Sequence, residues 1–234
     1  MTELHILLTT AMSLAFIHTL IGVDHYLPFV VLSRANNWST KKTMLIVFSC
    51  GTGHVLSSVI LGLVGITLAA GISLMVGIQE IRGDVATYFL IAFGLIYTIY
   101  GIRQSFKTKP HSHATLDGAG ITHTHSENGE NHKPGEQEAK RTTNIFWGLF
   151  ILFVLGPCEP LIPVLMYPAA THDTFTLISV ITLFAVCTIA TMLLITFLGI
   201  KSIRLLKLDK LERYSQVIAG STLLLCGIGL LLLH

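Results

Sequence analysis

The sequence predicts an all-α membrane protein with six transmembrane helices, and three observations carry that expectation. Of 234 residues, 52% are hydrophobic and only 12% charged, against about 25% charged in soluble domains. Mean hydropathy is +0.70. Six apolar stretches, near 4–32, 43–70, 86–105, 144–168, 174–199 and 215–233, approach or exceed the roughly 20 residues that a helix needs to cross a bilayer.

The first stretch opens Met1-Thr2-Glu3-Leu4-His5, without the basic segment of a secretory leader, and it is too long for one. It contains His18 and the pair Asp24-His25. A carboxylate at the bilayer centre costs about 2.5–3.5 kcal/mol on insertion scales, so it persists there with a partner or a task. On a regular helix His18 and His25 share a face but stand about 10 Å apart along the axis. That is too far to hold one small cation. Either Gly22 and Pro28 break the helix and fold the ligands together, or the two histidines serve successive stations on a path. The plainer alternative is an Asp24–His25 pair that pins two helices.

In the second stretch, Cys50-Gly51-Thr52-Gly53-His54 offers small residues that let another helix approach. His54 is then expected to face Asp24 and His25, or else to bond a carbonyl. The aromatics Tyr88, Phe89, Tyr97 and Tyr100 of the third stretch read as packing and interface residues. Residues 106–143 differ in kind, being rich in His, Lys, Glu, Gly and Thr. Such composition cannot bury a core. The chain therefore divides into a three-helix unit at 1–105, this connection, and a second three-helix unit at 144–234. His111, His113, His123, His125 and His132 make the connection a metal-capturing tract by composition or, more plainly, a solvated linker.

The fourth stretch holds Gly156-Pro157-Cys158-Glu159-Pro160 with Pro163 beyond. Prolines remove backbone donors, and irregular backbone at membrane depth is tolerated only inside protein or along a water-filled cavity. Glu159 and Cys158 are thus expected to line something, as hard and soft metal ligands; the alternative is a kinked helix with a proton-sharing Glu. The segment 201–213 alternates basic and aliphatic residues and reads as a connection on the membrane surface. The four cysteines, Cys50, Cys158, Cys187 and Cys226, fall in apolar stretches without a C-x-x-C pair, which argues against a disulfide framework.

Fourteen Lys and Arg fall in the connections joining spans 1–2, 3–4 and 5–6, against Arg82 alone on the other side. That bias predicts both termini outside and the His-rich connection in the cytoplasm. Three spans per half then require the second half to run upside down. A faint likeness between Gly22-Val23-Asp24-His25 and Gly156-Pro157-Cys158-Glu159 fits two inverted repeats with broken helices 1 and 4.

The pattern His18-x5-Asp24-His25, followed by Gly51-x-Gly53-His54, resembles the nickel/cobalt transporters of the NicO and urease-accessory type, which also tend to carry a His-rich central loop. Gly156-Pro157-Cys158 is similar to the wider superfamily that joins those permeases to sulfite exporters and the DsbD/CcdA thiol-redox membrane domains. The resemblance implies that His18, Asp24, His25 and His54 select the metal. The best-known nickel permeases have four residues between the first His and the Asp, where this chain has five. Asp24 also occupies the span-1 position that matches a cysteine of the redox carriers, so Cys50 would have to substitute.

The resulting expectation is a secondary transporter, not an enzyme, that exports a divalent transition-metal cation, with nickel or cobalt favoured. No G-x-x-x-x-G-K-[ST] sequence is present, so energy is expected from an ion gradient or a partner. No permanently bound cofactor and no nucleic acid are implied. The lipid bilayer of the cytoplasmic membrane is the setting, with room for a homo-oligomer and for a cytoplasmic metallochaperone. The rivals are a transmembrane thiol-redox carrier, which needs two exchanging cysteines, and a sulfite or organosulfur exporter, which the acidic midplane disfavours.

Overall fold

The computed structural model describes residues 3–68, 72–107, 134–158, 160–170, 173–205 and 214–233. Within them the chain is helical throughout: α1 (Glu3–Ile21), a single 3-10 turn (Val23–His25), α2 (Leu27–Ala35), α3 (Thr40–Thr67), α4 (Ile72–Lys107), α5 (Pro134–Leu155), α6 (Leu161–Ala170), α7 (Thr174–Leu205) and α8 (Ser215–Leu233). The fold class expected from composition is therefore found as an all-helical architecture. Five helices, α1, α3, α4, α7 and α8, are long and apolar enough to cross a membrane.

Two of the six expected spans are each divided. The first is cut between α1 and α2. Gly22 leaves helical geometry at φ −69°, ψ 89°, and Pro28 sits at the start of α2, where its missing amide costs nothing. The fourth is cut between α5 and α6 across Gly156–Pro160, where two prolines cannot supply amides to the preceding turn. The apolar part of α5, Arg141–Leu155, is shorter than a full span.

The third span departs from expectation. It begins at Ile72, not near 86, and absorbs Gln79, Glu80, Arg82 and Asp84 into α4. Those polar residues read as a loop by composition, yet the helix continues because Arg82 finds acceptors on neighbouring elements. At roughly 1.5 Å per residue, its 36 residues make a rod about 54 Å long, well beyond a bilayer core of about 30 Å.

Packing follows these breaks. The most extensive pair is α4 with α8; α1 lies on α7, α3 on α7 and α5, and α6 on α7 and α3. Gly94 allows the α4–α8 approach, since a Cβ there would stand 2.5 Å from the amide nitrogen of Leu224. One apolar cluster gathers Phe29, Val47, Leu90, Leu149, Phe153 and Leu223. A second gathers Ala11, Ala15, Val55, Cys158, Leu161 and Phe184. Rows of exposed Ile, Leu, Val and Phe cover the outside of the long helices, the surface a bilayer solvates.

The residues that flank the three basic connections meet one another. Asn36 donates to the Tyr97 hydroxyl at 2.8 Å, Lys42 to Thr142 Oγ1 at 3.2 Å, and Gln216 to the Ala35 carbonyl at 2.6 Å. These described flanking residues thus lie together in the bundle.

Candidate metal centre

The break after α1 turns the chain so that His25 points back at His18. Gly22 N donates to the His18 carbonyl at 2.9 Å, ending the helix, and His25 N donates to the Gly22 carbonyl at 3.0 Å, closing the 3-10 turn. A side chain at Gly22 would collide with His25 Nδ1. The two imidazoles, about 10 Å apart on an uninterrupted helix, come to 4.8 Å between ring centroids. Of the two arrangements open to the sequence, the structure has the folded one.

His54 arrives from α3 and completes the group, its ring 5.1 Å from that of His25. One ring nitrogen from each of His18, His25 and His54 lies within 4.8 Å of the other two. The hydrogen bonds decide which nitrogen each ring offers. His25 Nδ1 lies 3.2 Å from Asp24 Oδ1 and 3.2 Å from the Gly22 carbonyl. His54 Nδ1 lies 3.1 Å from the Phe153 carbonyl. Both neighbours are acceptors, so both Nδ1 atoms carry a proton, and in the neutral ring Nε2 keeps the lone pair. The Nε2 atoms of His18, His25 and His54 are buried, and none has a hydrogen-bond partner among the described residues.

A buried polar atom without a partner is costly, and three of them on one close group of histidines require an explanation. Imidazole nitrogens bind transition metals at about 2.0–2.1 Å, which places neighbouring ligand atoms about 3–3.4 Å apart. The rings need only close by an ångström or two to take a cation. Nitrogen ligands of this kind suit zinc, copper, iron and nickel without choosing among them. Asp24 acts here through His25: a carboxylate on the far ring nitrogen fixes tautomer and orientation and raises ligand basicity.

The His54 acceptor is a product of the second break. In a regular helix the Phe153 carbonyl would accept from the amide of residue 157, but Pro157 has none. His54 takes that place. The Gly156 carbonyl is freed in the same way by Pro160, and Arg82 takes it, Nη2 donating at 3.2 Å.

Both breaks open onto one cavity of about 410 Å³, with His18, Asp24, His25 and His54 on its wall. Gly156, Pro157 and Pro160 line it from the second break, and Ala86, Thr87 and Leu90 of α4 close another side. The expectation that the proline-rich segment lines something holds for these residues.

Cys158 is not brought into the group. It is fully buried in the apolar cluster with Val55, Leu161 and Phe184, and it is not part of the cavity wall. Among the described residues all four cysteines are thiols. Glu159 lies outside the described residues, as do His111, His113, His123, His125 and His132. The sequence reading missed Arg82 and the Phe153 carbonyl. Counting back four residues from Pro157 and Pro160 would have flagged both acceptors that needed donors.

Compared with known proteins, the sequence matches the family described as the cytochrome c biogenesis protein transmembrane region over residues 27–231. His54 and Cys158 lie inside the matched stretch, whereas His18, Asp24 and His25 precede it. That description names neither nickel nor cobalt. No curated protein and no solved structure matches the chain. Because the match spans most of its length, the chain belongs to the cytochrome c biogenesis transmembrane-region family, within the DsbD/CcdA-like membrane superfamily.

Proposed function

We propose that the protein is a secondary transporter of a divalent transition-metal cation, with nickel or cobalt favoured by the resemblance of its His18-x5-Asp24-His25 and His54 motifs. One observation carries the reading: one ring nitrogen from each of three histidines lies within 4.8 Å of the other two, each ring has a buried Nε2 without a partner among the described residues, and the group stands beside a cavity that both helix breaks line. An Asp24–His25 pin accounts for the bond at His25 Nδ1 but gives the Nε2 atoms of the three rings nothing to do. A ligand set for a cation presents them.

Under this reading the chain is two inverted three-helix repeats, each contributing one broken helix, and rocking of one against the other exposes the centre alternately. The basic end faces the cytoplasm, where the His-rich connection captures ion for export. Glu159 belongs to the path beside the second break. Coupling is to an ion gradient.

Family membership favours a second reading, a transmembrane thiol-redox carrier built on Cys158. That chemistry needs a second exchanging cysteine. Cys50 is the candidate named by sequence, and it is buried in a different apolar cluster from Cys158.

Flux into and out of reconstituted vesicles separates the two. Ni²⁺, Co²⁺, Zn²⁺ and sulfite are compared, with Asp24→Asn and Cys158→Ser alongside. The expected result is cation flux that survives Cys158→Ser and is lost in a normally inserted Asp24→Asn. Sulfite flux, or cation flux indifferent to Asp24→Asn, would remove the metal reading. A mixed disulfide with a thioredoxin-like protein that needs both Cys158 and Cys50 would establish the redox one.

A further inference from the structure

Between Lys42 and Arg103 the sequence holds a single Lys or Arg, Arg82. It is half-buried on α4. Its guanidinium meets four acceptors on three elements. Nη1 donates to Gln79 Oε1 at 2.9 Å on its own helix; Nη2 donates to Ser57 Oγ of α3 at 2.9 Å and to the carbonyls of Val154 at 2.8 Å and Gly156 at 3.2 Å. All four acceptors are uncharged. An arginine recruited as an ion-pair partner would face a carboxylate; this one faces the carbonyls of a broken helix.

The same short stretch holds His54. Phe153, Val154 and Gly156 present three carbonyls: the first goes to His54 Nδ1 and the other two to Arg82. Ser57 closes the loop, since its hydroxyl accepts from Arg82 and donates to the His54 carbonyl at 2.9 Å. The guanidinium therefore ties the His54 turn of α3 to the backbone that sets the His54 tautomer. A planar fork of five donors reaches several acceptors at fixed angles, which a lysine ammonium does not.

We infer that Arg82 is the positioning residue of the centre: it touches no imidazole, but it holds the 153–156 backbone where the Phe153 carbonyl fixes the tautomer of His54 beside His18 and His25. The affinity half of this inference rests on the metal reading; the tautomer half does not. Without Arg82 the Val154 and Gly156 carbonyls lose their side-chain donor. The segment then re-forms around other donors, and the Phe153 carbonyl moves off His54.

The test uses the full-length chain in detergent, with Arg82→Gln and Arg82→Lys, and Arg141→Gln as a control at the other end of the bundle. Metal-free protein labelled with ¹⁵N-histidine reports the His54 tautomer, and Co²⁺ titration reports affinity and ligand-field bands. Wild type is expected to show His54 protonated on Nδ1. Arg82→Gln should show mixed tautomers, altered Co²⁺ bands and an affinity loss of about 10–100-fold, the usual effect of losing support behind a metal ligand. Arg82→Lys should fall between them and Arg141→Gln should match wild type. If Arg82→Gln does not fold, Arg82→Lys and Ser57→Ala carry the same comparison. A folded Arg82→Gln, or in its place a folded Arg82→Lys and Ser57→Ala, with the wild-type His54 pattern and Co²⁺ spectrum overturns the inference. Wild type that binds no Co²⁺ while its His54 pattern still responds to Arg82 would uphold the positioning role and overturn the metal reading.

Discussion

His25 is the residue on which the centre turns. Its ring is within contact distance of both other histidines, and its Nδ1 is held by Asp24 and by the Gly22 carbonyl. The glycine is demanded by space, because any Cβ at that position meets the His25 ring. Gly22→Ala should therefore insert normally but displace the imidazole, lowering Co²⁺ affinity by about 10–100-fold; a Co²⁺ titration of the purified variant measures this. That Asp24, His25 and His54 come together was legible in the sequence, because polar groups inside apolar spans require partners or tasks. Whether His18 joins them was left open between two arrangements, because it depends on the angle of one 3-10 turn. The depth at which Cys158 is buried was equally hidden, since a cysteine beside a glutamate reads alike whether it faces a lumen or a core.

At the level of elements, the two breaks have different causes. The first relies on a small residue and a turn, the second on removed amide donors. Pro157→Ala restores an amide that can bond the Phe153 carbonyl and extend α5, a gain of about 0.5–1.5 kcal/mol for one hydrogen bond. The same extension draws the carbonyl from His54. The expected outcome is slower amide exchange across 153–158 together with weaker Co²⁺ binding; faster exchange, or unchanged binding, would contradict this account of the break. Both breaks were foreseeable from Gly and Pro. The full length of α4 was not, because Glu80, Arg82 and Asp84 look like loop residues, and the acceptors that Arg82 finds lie on other elements. Arg82 was read as a marker of sidedness, while its bonds to α3 and the α5 break belong to tertiary structure.

Across the whole molecule, α4 and α8 form one tightly packed unit, with α1 resting on α7 elsewhere. Gly94→Val should wedge the α4–α8 pair apart at the Leu224 backbone and cost about 1–3 kcal/mol, as overpacking does. A thermal unfolding scan in detergent should show the loss, with the Co²⁺ spectrum of the folded fraction unchanged. The His-rich centre also has an electrical consequence. A bound dication adds about two elementary charges to the empty chamber. Membrane voltage acts on such a difference at about 2.3 kcal/mol per elementary charge per 100 mV. A potential negative inside would pull the loaded form inward, so expulsion of a metal ion through this chamber must return compensating charge on every cycle.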